Sequence, residues 1–123
     1  MAVFSPLRLA MREHSDVTIN RSLIVLLPKQ PAHDWLMRVD PEPMEMTLAE
    51  LRQDQDGLLV SQHKVETLED AEKWVFRRWD MFFTKFLHEW FTDEDMWPQK
   101  RTLKMFKEWF EVQYLPMLWD YSD

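Results

Sequence analysis

Residues 74–91, WVFRRWDMFFTKFLHEWF, carry eight aromatic rings in eighteen positions, and the charges between them are spaced as regularly as the rings. At 100° per residue, Ala71, Val75, Phe76, Trp79, Phe82, Phe83, Phe86, Leu87 and Trp90 fall within an arc of about 160°, wider than a coiled-coil seam. Arg77, Arg78, Lys85, His88 and Glu89 occupy the other side, and a membrane span does not carry so many charges through its middle. The stretch therefore reads as an amphipathic helix that lines a core. Thr67 ahead of Glu69 and Asp70 supplies an oxygen cap and two first-turn carboxylates that complement the helix dipole. A helix from 68 to 91 would run about 36 Å, comparable with the diameter of a domain this size. It is expected to cross the whole molecule, with Trp79 and Phe86 near the centre of its buried face.

A second amphipathic pattern follows. Leu103, Phe106, Trp109, Phe110 and Tyr114 share one helical face and Lys100, Lys104, Lys107, Glu108 and Glu111 the other, with Pro116 ending the run. Two such helices joined by a loop of about six residues pack most simply as an antiparallel pair. Ahead of them, SLIVLLP (22–28) is a continuous β-branched and Leu run, the pattern of a strand buried on both faces. LLVSQHKV (58–65) reads as a second strand. Pro31 opens a helix of about two turns that contains Trp35 and Val39. Thr47 with Glu50 forms a capping-box pattern before LAELRQ, and DQDG (54–57) is a turn. Ser5 and Pro6 suggest a further short helix, or alternatively a strand, near the N-terminus. The fold class is thus α+β: a small sheet of two or three strands packed against a long amphipathic helix and a C-terminal helix. At 123 residues it is one domain, 1–123, long enough for one sizeable core.

Composition removes several functions. The chain has 15 Lys plus Arg against 22 Asp plus Glu, and neither half is basic, so it offers no cationic stripe for nucleic acid. It contains no Cys, which eliminates disulfides, thiol nucleophiles and Cys-type metal sites. Gly57 is the only glycine, so phosphate-cradling and dinucleotide-binding loops are excluded. The N-terminal stretch MAVFSPLRLAMREH has arginines inside its apolar pattern and reads as neither signal peptide nor membrane anchor. The expected setting is cytoplasmic, with no membrane association and no cofactor.

His14, His33, His63 and His88 are scattered without an i, i+4 pair, which speaks against a helix-borne metal site. His33 and Asp34 could act as base and orienting acid, but no nucleophile turn accompanies them. DQDG matches the start of a calcium loop, yet the later ligands are missing. Two features stand out instead. Trp74 and Met81, seven apart, lie outside the core arc beside Arg78 and Lys85 as an apolar stripe with cationic edges, unless another element covers them. In DEDMWPQKR (93–101), Asp93, Glu94 and Asp95 sit against Trp97, Lys100 and Arg101. That segment either recognises a partner or serves as scaffold, its acids capping the final helix, Pro98 setting the first turn and Trp97 stapling the loop to the core.

PKQP with Trp35 downstream, and WFTDEDMWPQKRT followed by MFKEWFEV, resemble a family of small bacterial proteins in which a strand leads to a Lys-Gln-Pro segment and a Thr-Asp-Glu…Trp-Pro-Gln…Arg-Thr segment recurs. The resemblance covers most of residues 22–121. It places Lys29, Gln30, Pro31, Trp35, Thr92, Asp93, Glu94, Trp97, Pro98, Gln99, Arg101, Thr102, Phe106, Trp109 and Phe110 in the family pattern. It implies a genuine folding unit and brings no activity or ligand with it.

The expectation is a non-enzymatic protein-interaction module, immunity-like or inhibitor-like toward a basic partner, since aromatic and Arg residues make interface anchors and surplus acid steers a cationic surface. Its candidate binding residues are Asp93, Glu94, Trp97, Arg101, Lys29 and Trp74, with no catalytic or metal-binding residue assigned. The alternative is a small-ligand binder or enzyme with a cleft between residues 29–35 and 92–102, Asp93 or Glu94 acting as acid or base and Lys29 or Arg101 holding an anion. A homodimer that covers the sheet edges is a further expectation.

Overall fold

The computed structural model describes residues 18–42 and 45–122; the N-terminal segment proposed around Ser5 and Pro6, and His14, lie outside them. The architecture is α+β, a three-stranded antiparallel sheet with helices packed on it. In chain order the elements are β1 (Arg21–Pro28), α1 (Gln30–Val39), α2 (Leu48–Gln53), β2 (Gly57–Ser61), α3 (Leu68–Phe76), α4 (Trp79–Trp90), a 3-10 turn (Glu94–Met96), α5 (Leu103–Trp109) and β3 (Phe110–Leu115).

β1 takes the middle of the sheet in the order β2-β1-β3. The strand expected to be buried on both faces meets the core on one only: Ile24 and Leu26 face it, while on the other face Leu23 and Val25 are half-buried and Leu27 alone is buried. Leu23 lies opposite Leu59 and Leu115, while Leu26 lies opposite Val112. Ile24, Val60, Phe110 and Val112 point from the sheet into a core completed by Trp35, Leu36, Leu51, Val75, Phe83, Phe86, Leu87, Phe106 and Trp109. Among the described residues Ser22 is the polar one that is buried there. Its hydroxyl donates to the Pro116 carbonyl at 3.0 Å, beside the Tyr114 hydroxyl that donates to the Val65 carbonyl at 2.8 Å. These bonds satisfy the buried groups and tie β1, β3 and the lead into α3 together.

The 68–91 segment is not one rod. It breaks at Arg77–Arg78 into α3 and α4, about 14 and 18 Å long at roughly 1.5 Å per residue. Neither Gly nor Pro causes the break. The Arg78 amide bonds to the Val75 carbonyl at 2.9 Å in place of Trp74, and the Arg78 guanidinium caps the freed Trp74 carbonyl at 2.9 Å. α3 runs beside β3, while Phe83 and Phe86 of α4 face the ring cluster. Ala71, Val75, Phe82, Phe83, Phe86 and Leu87 are buried as read, whereas Trp79, placed just after the bend, is only partly buried.

The expected C-terminal helix is also divided. α5 ends at Trp109, and residues 110–115 form β3, so the antiparallel helix pair is replaced by a helix followed directly by a sheet strand. Phe110, Val112 and Tyr114 face inward while Glu111, Gln113 and Leu115 are exposed, a period of two that β1 selects through its open edge. β2 ends at Ser61 rather than reaching Val65, because the Ser61 carbonyl accepts the amides of Lys64 at 3.1 Å and Val65 at 3.2 Å and closes a turn. α1 is ten residues long, somewhat more than the two turns expected.

α2 is anchored to the sheet by Arg52, whose guanidinium donates to the Pro28 carbonyl at 3.0 Å and to the Glu111 carboxylate at 2.7 Å. That hydrogen bond holds Glu111 below its ordinary value of 4.5, and burial opposes the shift only in part. A lowered carboxylate contributes stability above its ordinary value and loses it as pH falls through the lowered one. Because the side chain is 45% exposed, the effect is small. Glu111→Gln is expected to cost under about 1 kcal/mol at neutral pH, with urea midpoints of wild type and variant converging as pH falls below the ordinary carboxylate range.

Candidate functional site

Residues 29–35 and 92–102 come together, but by packing. The Trp35 indole N–H donates to the Met96 carbonyl at 3.1 Å, and Trp35, 2% exposed, stacks edge-on against Phe91 with ring centroids 5.6 Å apart. Trp97 is itself a core residue at 8% exposure, its indole N–H donating to the Phe91 carbonyl at 2.8 Å. The Asp93 side chain accepts the Asp95 amide at 3.0 Å and caps the 3-10 turn, and Glu94 is exposed beside it. Arg101 donates to the Pro98 carbonyl at 2.8 Å and its guanidinium lies 5.7 Å from the Trp97 ring. Its Nε is buried without a partner among the described residues. The cap of α5 is Thr102, which accepts the Met105 amide at 3.1 Å; Pro98 and the three acids stand upstream of the helix start they were expected to make. This loop is scaffold in Trp97 and exposed in Asp93 and Glu94, and what ties it to residue 35 is a buried indole.

The side chains of His33 and Asp34 are both engaged in structural contacts. The His33 ring meets the Met46 carbonyl, and Asp34 accepts from the Gln30 side chain at 2.7 Å. Among the described residues no group of three or more His, Asp or Glu is arranged to hold a metal ion. Nor is any helix among them long and apolar enough to cross a membrane.

The second candidate surface divides. Trp74 is partly buried beside Phe82, and the Arg78 guanidinium lies over its ring at 4.1 Å. Met81 remains 53% exposed. Lys85 turns away to Glu89 at 3.0 Å and Asp56 at 3.5 Å, and the Glu89 contact holds its pKa above the ordinary 10.5. Beside Trp74, Lys64, Asp70, Lys73, Arg77 and Arg78 line a groove of about 430 Å³.

A further concave feature lies along β3. Lys29, Leu68, Glu72, Phe76, Lys107 and Val112 line a groove of about 580 Å³. It runs on into a second of about 310 Å³ that shares Leu68, Glu111 and Val112 and ends at Tyr114 and Leu115. α3 is one wall and β3 the other. The β3 ladder is in phase with the bond from the Lys29 amide to the Trp109 carbonyl at 2.7 Å, so the odd residues of β3 bond β1. The amide and carbonyl of Val112 and Tyr114 therefore point away from β1, and neither has a backbone partner among the described residues. Leu68, where the two grooves join, is 49% exposed, and Leu115 at one end is 52% exposed. At the Phe76 end, Lys107 lies 4.8 Å over the Phe76 ring and the Lys29 ammonium donates to the Lys107 carbonyl at 3.1 Å.

Of the six residues singled out by sequence, only Lys29 borders this groove. Leu68, Phe76 and Val112 were read as parts of helices or core, and only the inward-outward alternation of FEVQYL carried a signal for the strand that forms the wall. Comparison with protein-family models, curated proteins and solved structures found no match.

Proposed function

We propose that this chain is a non-enzymatic protein-interaction module that takes an extended segment of a partner protein into the groove between α3 and β3. The observation that carries the reading is the outward-facing amide and carbonyl of Val112 and Tyr114 along a groove with exposed Leu68 midway and Leu115 at one end. Addition of a strand to a sheet edge supplies main-chain hydrogen bonds for affinity, and flanking pockets select alternate side chains. Leu68 and Phe76 on one wall and Leu115 on the other would take apolar side chains spaced along such a segment. The net charge of −7 favours encounter with a cationic partner, and masking such a partner is the immunity-like or inhibitor-like form of the same activity.

Selection from a library of displayed peptides tests the proposal without knowledge of the native partner. Peptides that read as strands, with apolar residues two apart and basic flanks, are expected to be enriched. Leu68→Glu places a carboxylate at an exposed first helical position, where the dipole favours it, so the melting temperature should hold while binding falls at least tenfold. Enriched peptides that bind Leu68→Glu and Leu115→Glu as tightly as wild type would remove the groove from the reading.

A further inference from the structure

The two edges of the sheet are unlike. β3 faces α3 across a groove, whereas β2 pairs with β1 alone among the described residues. β2 reads GLLVS and carries neither a charge nor a proline to protect its edge. Its free groups follow from the ladder phase. The Gln62 amide bonds the Asn20 carbonyl at 3.4 Å, so Leu58 and Val60 face β1, and the amide and carbonyl of Gly57 and Leu59 face outward with the Ser61 amide. Leu59 is also 59% exposed on the sheet face away from the core.

We infer that β2 pairs with β2 of a second copy, antiparallel and centred on Leu59, to make a continuous six-stranded sheet across a two-fold axis. This register sets the outward groups of Gly57 opposite Ser61 of the other copy and the two Leu59 residues opposite each other. The charges flanking the strand agree with it. Asp54 precedes β2 and Lys64 follows it, neither has an ion-pair partner among the described residues, and the two-fold brings Asp54 of one copy to the Lys64 end of the other. A parallel pairing would set acid beside acid. The contact is isologous, so it closes at two copies rather than propagating. It uses the edge opposite the proposed partner groove and stands independently of that proposal.

The absence of cysteine makes the register directly testable. In an antiparallel hydrogen-bonded pair the two Leu59 Cα atoms lie about 5.5 Å apart, inside the disulfide range of about 4.4–6.8 Å. Leu59→Cys is expected to form a covalent dimer under mild oxidation, while Leu115→Cys, 52% exposed on the other edge, stays monomeric on the same gel. Light scattering of the wild-type chain at high micromolar concentration should give twice 15.1 kDa, and Leu59→Lys should return it to 15.1 kDa with an unchanged circular dichroism spectrum. A monomeric wild type, or equal cross-linking at positions 59 and 115, overturns the inference. Leu68→Glu should leave the dimer mass untouched, which separates this result from failure of the groove.

Discussion

Replacing Trp35 with alanine is expected to remove about 3–5 kcal/mol, a large share of the roughly 5–15 kcal/mol that holds a domain of this kind. Trp35 is the buried link between α1 and the 92–102 loop. Its ring meets Phe86 at 6.2 Å, Phe91 at 5.6 Å and Trp109 at 6.0 Å, so truncation opens a cavity bordered by three elements. Its indole N–H holds the Met96 carbonyl at 3.1 Å. Trp35→Phe keeps most of the apolar volume and removes that bond, and should cost about 1–3 kcal/mol. Guanidinium midpoints of the two variants separate the terms. Equal losses would mean that the hydrogen bond dominates, and no loss in either would contradict the packing described.

The second large effect is Phe83→Ala, again about 3–5 kcal/mol. Phe83 is fully buried, with ring centroids 5.8 Å from Phe106, 5.2 Å from Trp109 and 5.6 Å from Phe110. It thus joins α4 to α5 and to the first residue of β3. Trp79→Ala makes the informative contrast. On an unbroken helix Trp79 sits in the centre of the apolar arc and its loss should match that of Phe83. With the bend at Arg77–Arg78 it lies at the margin and is only partly buried, so a loss below about 2 kcal/mol is expected. Comparable denaturant midpoints for the two variants would argue for the straight helix.

The contrast marks where the sequence was legible. β1 could be read as a strand from its run of β-branched and Leu residues, although only one of its faces meets the core, and the caps at Thr47 and Thr67 because each is a local bond to an amide three residues on, at 3.1 and 3.0 Å. Even there the local rule was only half kept, since the Glu50 carboxylate takes the Thr47 hydroxyl at 3.1 Å. The bend at Arg77–Arg78 left no trace, because arginine is a good helix former and the break depends on a guanidinium folding back onto a carbonyl. Phe110 and Tyr114 satisfy a helical spacing of four and a strand spacing of two equally. β1 decides between them from more than eighty positions away. The groove was illegible for the same reason: its walls are joined only by tertiary structure, and Lys29 entered the candidates through its place in PKQP. The loop at 93–101 stood out through its charge pattern, which betrays exposure but not that Trp97 faces inward.

The pairing of β1 with β3 also sets a clock for synthesis. Leu23 meets Leu115, a residue made about ninety positions later. At roughly 5–20 residues per second the ribosome needs on the order of 5–20 s to deliver the second partner of the central strand. Through that interval β1 can hold β2 on one side only, with Ile24 and Leu26 lacking the Tyr114 and Val112 that later lie opposite them. The nascent chain therefore spends seconds with its most apolar strand half-paired, and its folding in the cell depends on how that strand is sheltered while translation continues.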